Sequence, residues 1–244
     1  MDEDPDSSFK KGNRRMPDIS RRPCRLFIFD LDGTLVDSRA DLVTSLNLAL
    51  TRLGHPRLAS ELIGGFVGEG VDKLVERALR ASTGREPDNA EIREMVKIYV
   101  NEYQGHLLDE TCLRDQAAQA LAAISDAEIA VVTNKLEIFS RRILDGLGIG
   151  NMFSIILGGD SVERRKPEPD ALLKAMEFCG AKPNETVMIG DSLTDIEAGK
   201  AANTFTCAIL GGFRPDEELF TSGCDCLISS LIQITDYFEP VGAR

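Results

Sequence analysis

The chain has no tryptophan, three tyrosines and two histidines among its 244 residues. With His55 and His106 as the only imidazoles, mechanisms that need a histidine nucleophile or a cluster of histidine metal ligands have almost nothing to use. Cations are also scarce, 28 Lys and Arg against 40 Asp and Glu, and the formal charge of −12 argues against nucleic acid or an anionic membrane as partner. No apolar run approaches the roughly 18 residues a membrane-spanning helix needs. The first 23 residues hold no hydrophobic block of the secretory kind, so a cytoplasmic residence is expected. Six cysteines are dispersed through a chain too long to need staples, which reads as reduced thiols. Cys224 and Cys226 form a C-x-C pair without the spacing or second ligand pair of a zinc site, and are expected to be buried or half-buried thiols. The opening segment, 1–23, is polar, carries both signs of charge and contains three prolines, so it reads as a tail, with Met16 as an alternative start.

What is present is a rhythm of short apolar runs. Segments 26–29, 129–132, 154–157, 187–189 and 206–209 are too apolar to be half exposed and read as buried parallel strands, with 226–228 as a further edge strand. Helical patterns at 115–124, 137–147, 170–179 and 195–202 separate most of them. Strand and helix thus alternate as in an α/β fold built on a doubly wound parallel sheet. Between the first strand and the second lie about a hundred residues, far more than one crossover requires. Within them 37–53, with Gly54 as a stop, and 71–79 and 90–103 carry helical stripes. The expected organisation is a tail at 1–23, an α/β core at 24–37 and 109–244, and an inserted helical cap at 38–108.

In such a sheet the ligand sits beyond the carboxyl ends of the strands, so the polar residue that ends each run matters most. The first run, RLFIFDLDGTLVDS, ends in Asp30 with Asp32 two residues on, and Gly33 permits a sharp turn. The second ends in Thr133-Asn134-Lys135, and the third is soon followed by Lys166. The fourth ends in Gly190-Asp191, with Asp195 four residues on. Carboxylates gathered at one edge repel one another unless a cation joins them, and hard oxygen ligands suit Mg2+; Asp30, Asp32, Asp191 and Asp195 are the expected ligands. An aspartate beside such an ion is a nucleophile for phosphoryl transfer, which makes Asp30 the expected nucleophile. Asp32 is the expected acid and base. Thr133 and Lys166 are expected to meet the phosphoryl oxygens, with Asn134 beside them. Gly68 and Gly70, in VGEG, allow backbone amides to face a substrate anion.

This constellation resembles the haloacid dehalogenase superfamily of phosphohydrolases, whose four motifs align with Asp30-Leu31-Asp32-Gly33-Thr34, Thr133, Lys166, and Gly190-Asp191-Ser192 with Asp195. The resemblance implies the same roles at those positions and a Mg2+ cofactor. Because the family's dehalogenases lack the second aspartate, it also implies phosphoryl chemistry. Within the superfamily the phrases VGEGVDKLVERAL, VVTNK, KPEPD and GDSLTDIEAGKAA are similar to the phosphoglycolate phosphatases. The expected activity is therefore hydrolysis of a small phosphate monoester, 2-phosphoglycolate first, through an aspartyl phosphate. A sugar-phosphate mutase, a pyrophosphatase and a non-catalytic regulator on the same fold are the alternatives. Three departures from the family pattern stand out: Arg114-Asp115-Gln116-Ala117 replaces a frequent Tyr-Pro-Gly-Val, Leu136 a frequent proline, and Asn203 a frequent glycine. Asp115 still offers a cap to the following helix.

Overall fold

The computed structural model describes residues 21–242. The expected tail and Met16 therefore lie outside the described residues up to position 20. Positions 22–24 correct the expected boundary. Strand β1 (Arg22–Cys24) pairs in parallel with β10 (Phe238–Pro240), near the other end of the chain. The pairing is anchored by Phe238, whose ring meets Phe27 edge to face at 6.2 Å.

The chain then enters β2 (Leu26–Phe29), every residue of which is buried. It crosses into four helices through a two-residue strand, β3 (Val36–Asp37), and leaves them through another, β4 (Cys112–Leu113); the two pair antiparallel. The helices between are α1 (Arg39–Arg52), α2 (Ser60–Gly64), α3 (Val71–Thr83) and α4 (Asn89–Gly105). The spacing of Leu74, Val75, Ala78 and Leu79 puts four buried apolar residues on one face of α3. Asp88 and Glu91 close a reciprocal capping box at the start of α4.

Helix and strand then alternate through α5 (Ala117–Ala123), β5 (Glu128–Val132), α6 (Glu137–Gly146), β6 (Ile155–Leu157), α7 (Asp170–Cys179), β7 (Thr186–Gly190), α8 (Leu193–Ala201) and β8 (Phe205–Ile209). The last elements are α9 (Asp216–Phe220), β9 (Cys226–Ile228) and α10 (Ile234–Tyr237). Six of the strands form one parallel sheet in the order β6-β5-β2-β7-β8-β9. Side chains alternate across it: Phe27, Phe29, Ile129, Val131, Val187 and Ile189 pack into the larger core. Leu26, Ile28, Ala130, Val132 and Met188 pack on the other face with α7 residues Leu172, Ala175 and Met176. The expected doubly wound sheet is present, β9 is its edge, and each expected strand lies within about a residue of its place.

Asp115 does not cap α5, contrary to expectation. That position is taken by Gln116, which adopts a left-handed conformation (φ 61°) and makes no side-chain cap bond. Helix α8 begins at Leu193, so Asp195 stands in its first turn instead of opening it. Among the described residues no helix is long and apolar enough to cross a membrane, and all six cysteines are unpaired.

Both passages between the sheet and the helices are tied by one side chain. Asp41, 2% exposed in the first turn of α1, accepts from the Glu110 amide (3.0 and 3.1 Å), the Thr111 amide (2.8 Å) and the Thr111 hydroxyl (2.6 Å). Truncation would strand the buried Thr111 amide and hydroxyl. Asp41→Ala should therefore cost about 2–4 kcal/mol, read as a lower urea midpoint; a change below about 0.5 kcal/mol would mean that the segment finds other acceptors.

Candidate active site

Because β2 lies between β5 and β7 in the sheet, the residues just past these three strands are neighbours in space although they are far apart in the chain. The connections leave the sheet here in opposite directions, opening a crevice at the strand tips. Asp30 continues β2 by donating its amide to Ile189 O (2.9 Å), and Thr133 continues β5 by donating to Leu157 O (3.0 Å). Close approach in the crevice depends on glycine. Gly33 has φ +84°, and a Cβ there would lie 2.2 Å from Asp191 Oδ2; one at Gly190 would lie 2.2 Å from the Asp195 carboxyl carbon.

The expected residues Asp30, Lys166, Asp191 and Asp195 meet at this point. Lys166, 3% exposed, spends all three ammonium hydrogens on Asp30 Oδ1 (2.9 Å), Asp195 Oδ1 (2.6 Å) and Val132 O (2.7 Å). The other oxygen of Asp195 accepts from the Ser192 hydroxyl (2.6 Å) and amide (3.1 Å) at the start of α8. Asp191 accepts from the Phe213 amide (2.7 Å) and, at 3.4 Å, the Thr34 hydroxyl.

One ammonium faces three carboxylates, and burial together with the excess negative charge shifts the proton affinities of Asp30 and Asp191. Burial pushes Asp30 up to about 6; Lys166 opposes this, while Asp195 and Asp32 add to it. Burial, then the charges of Asp195 and Asp30, push Asp191 up to about 8. Burial alone would lower Lys166, but Asp195 and Asp30 outweigh it and raise it to about 12. Asp30, Asp191 and Asp195 each offer an oxygen within 4.8 Å of the others. Three hard, buried oxygen donors carrying more negative charge than the lysine offsets fit Mg2+.

The Asp32 carboxylate lies outside that group. It is held by Lys135 Nζ at 2.8 and 2.7 Å and by the Ser38 hydroxyl. Lys135 in turn donates to the Tyr103 hydroxyl (2.7 Å) on α4. The ring of Tyr103 stacks on Tyr99 and meets Phe139 edge to face, both at 5.6 Å. A second charged pair therefore links the sheet tip to the helices above it.

These groups line a cavity of about 270 Å3. Asp30, Asp32, Thr133, Asn134, Lys135, Asp191 and Ser192 form its polar floor, and Leu42, Val71, Leu74, Tyr99, Tyr103 and Phe139 supply apolar wall. Gly68 and Gly70 line it too, with φ +115° and +91°. Asn134 makes bonds the sequence did not suggest: its amide nitrogen donates to Gly68 O (2.9 Å) and Lys166 O (3.0 Å), stapling the glycine loop to the lysine segment. Its Oδ1 is buried without a hydrogen-bond partner among the described residues. Neither histidine lines the cavity.

Sequence reasoning missed Ser38, Tyr103, Lys135, Arg165 and Arg214. Only Lys135 carried a signal, its place directly after Thr133-Asn134. Arg114, where the family pattern has a frequent tyrosine, ties two loops together. Its guanidinium donates to Gly33 O and, at 2.8 Å, to Leu210 O, joining the turn after Asp32 to the loop after β8.

Residues 27–209 match the profile of the haloacid dehalogenase-like hydrolases. A phosphoglycolate phosphatase of Nitrosospira multiformis is 33% identical over 219 residues, 89% of this chain and 96% of that protein. One from Colwellia psychrerythraea is 37% identical over 198 residues, 80% of this chain and 88% of that protein. The crystal structure of a predicted phosphoglycolate phosphatase from Haemophilus somnus 129PT superimposes with a TM-score of 0.82 at 29% identity, covering 87% of this chain and 97% of that one. Motif spacing, sheet order and these likenesses agree, and the chain belongs to the haloacid dehalogenase-like hydrolase family.

Proposed function

We propose that the chain is a Mg2+-dependent phosphatase for small phosphate monoesters, with 2-phosphoglycolate as the first candidate substrate. The observation that carries this is a buried carboxylate, Asp30, at the central strand tip, 2.9 Å from Lys166 and within the carboxylate group of Asp191 and Asp195, opening on a cavity. Asp30, Asp191 and Asp195 would hold the ion, which when bound screens the approach of a phosphate dianion and polarises its oxygens. The helices α1 to α4 act as the cap, and its apolar wall excludes bulk water from the floor. Cytoplasmic residence is supported by the six unpaired thiols.

In the first displacement an Asp30 carboxylate oxygen forms a bond to phosphorus as the ester P–O bond breaks, and Asp32 passes a proton to the departing alkoxide. The product is an aspartyl phosphate and the free alcohol. In the second, Asp32 takes a proton from water as the water oxygen bonds to phosphorus and the acyl-phosphate bond breaks. Asp30 is regenerated and inorganic phosphate leaves. Lys166 keeps Asp30 oriented, and the Thr133 hydroxyl is placed to meet a phosphoryl oxygen.

Inorganic phosphate release over a panel of small acid, sugar and nucleotide phosphates, with and without Mg2+, tests the proposed activity. Turnover of 2-phosphoglycolate that EDTA abolishes is expected. Activity that needs a sugar bisphosphate and returns phosphate to the sugar would replace it with the mutase alternative.

Proton affinities add a second check. Asp30 and Asp191 bind protons more tightly in the folded chain than the ordinary carboxyl value of 3.8, so in the metal-free protein their contribution to stability is complete below about pH 4. It is lost as the pH rises through about 6 and about 8. Mg2+ competes with those protons, so it should raise the melting temperature more at pH 8 than at pH 5.5 in scanning calorimetry. Equal shifts at the two pH values would remove the three carboxylates as the ion's ligands.

A further inference from the structure

A phosphate ester whose alcohol part carries a carboxylate brings two anions into one cavity, and the second needs a cation of its own. Three cationic side chains line the cavity among the described residues: Lys135, Arg165 and Arg214. Lys135 is committed to Asp32 and Tyr103. Arg214 is committed to Glu218 through Nε (3.2 Å) and Nη2 (3.3 Å), and to Gly65 O through Nη1 (2.8 Å). Deeper in, Lys166 has no hydrogen left to donate. Arg165 differs. The one hydrogen bond of its side chain among the described residues runs from Nη2 to Asp72 at 3.2 Å, in the first turn of α3.

The position of Arg165 suits contact with a ligand. Gly70 leaves room for the guanidinium, since a Cβ there would lie 2.0 Å from Nη1, and its φ of +91° disfavours any side chain. The cavity is also lined by Asp72, Asp160 and Glu163. Asp160 is occupied by the Glu137 amide (2.8 Å), whereas Asp72 and Glu163 would repel an anionic tail were no cation beside them. A guanidinium presents paired donors that match a carboxylate edge to edge.

We propose that Arg165 is the specificity residue that binds the carboxylate of the substrate's alcohol part, so that the site selects phosphate monoesters of small hydroxy acids over uncharged esters of the same size. The inference rests on the phosphatase reading above. The Arg165–Asp72 pair also spans the cap and the core, so the contact with substrate forms where the two parts meet.

The test compares 2-phosphoglycolate with ethyl phosphate, esters of similar size that differ in the carboxylate, for the wild-type chain, Arg165→Gln and Arg165→Lys. Both esters need the cap in place, so a loss of the Asp72 contact acts on both and drops out of their ratio. In Arg165→Gln the ratio of kcat/KM for 2-phosphoglycolate to that for ethyl phosphate should fall at least about tenfold, mostly through KM for the acid. Lysine should restore part of it. An unchanged ratio, or a wild-type chain that takes ethyl phosphate as readily as the acid, overturns the proposal while the phosphatase reading stands. Calorimetric binding of 2-phosphoglycolate in Mg2+ reads the same contact without turnover. Affinity about tenfold weaker in Arg165→Gln supports the proposal even where neither ester is hydrolysed, an outcome that would sink the phosphatase reading alone; equal affinity in the two proteins overturns the proposal.

Discussion

Asp30→Asn is expected to lower phosphate release by about four orders of magnitude or more, the scale on which enzymes lose rate when a nucleophile is removed. The substitution is nearly isosteric, and the side-chain oxygen of asparagine still accepts the hydrogen bond from Lys166. On the proposed assignment it loses the nucleophilic oxygen and one of the three charges that would gather the ion. The fold should survive, because the carboxylate being replaced is one that burial already pushes up to about 6, so its removal relieves an unfavourable buried charge at neutral pH. Two readouts separate chemistry from collapse. Acid quench of the wild-type chain turning over labelled substrate should leave phosphate on the protein, and the variant should carry none. The melting temperature of the variant without metal at pH 8 should equal or exceed that of the wild type. Residual turnover within tenfold of wild type would remove Asp30 as the nucleophile.

Legibility of the site followed the sheet. Asp30, Thr133 and Asp191 each terminate an apolar run, and a parallel sheet puts such termini on one edge whatever the details of packing. Their convergence could therefore be anticipated without coordinates. Lys166 is four residues from the nearest helix, but its charge is the complement the carboxylates demand, and that complementarity is what marks it in the sequence. The partners of Asp32 were hidden for the opposite reason. Its carboxylate bonds to Ser38, six residues on, and to Lys135, 103 residues on, and a tertiary ion pair leaves no periodicity in either segment. Without that pair in view, the sequence places the Asp32 carboxylate with the others at the sheet edge. Strand β1 escaped because Arg-Pro-Cys has the composition of a linker, and its partner β10 lies some two hundred residues away. A two-stranded edge of that kind is set by the docking of Phe238, not by local propensity. Asp115 failed as a cap because Gln116 takes a left-handed conformation that moves the helix start one position on.

Lys166→Met should have the second largest effect, and on stability as well as on rate. The ammonium is 3% exposed and saturated by two carboxylates and one carbonyl. Methionine fills comparable space but leaves Asp30, Asp191 and Asp195 facing one another with no countercharge among them. Removing one member of a buried ion group typically costs about 3–5 kcal/mol, and the penalty here should grow with pH as the carboxyls lose the protons that would otherwise relieve the repulsion. At pH 8 without metal the urea midpoint should therefore drop well below that of the wild type, and the gap should narrow at pH 5.5. On the proposed assignment Mg2+ would supply charge to the same three oxygens, so it should recover more stability in the variant than in the wild type. Rate should not recover with it. The lysine orients Asp30, and loss of one such charged contact costs about two to three orders of magnitude. A destabilisation below about 1 kcal/mol at pH 8, with no dependence on pH or on Mg2+, would mean that the three carboxylates do not share a single charge balance, and the assignment of the ion to them would fall with it.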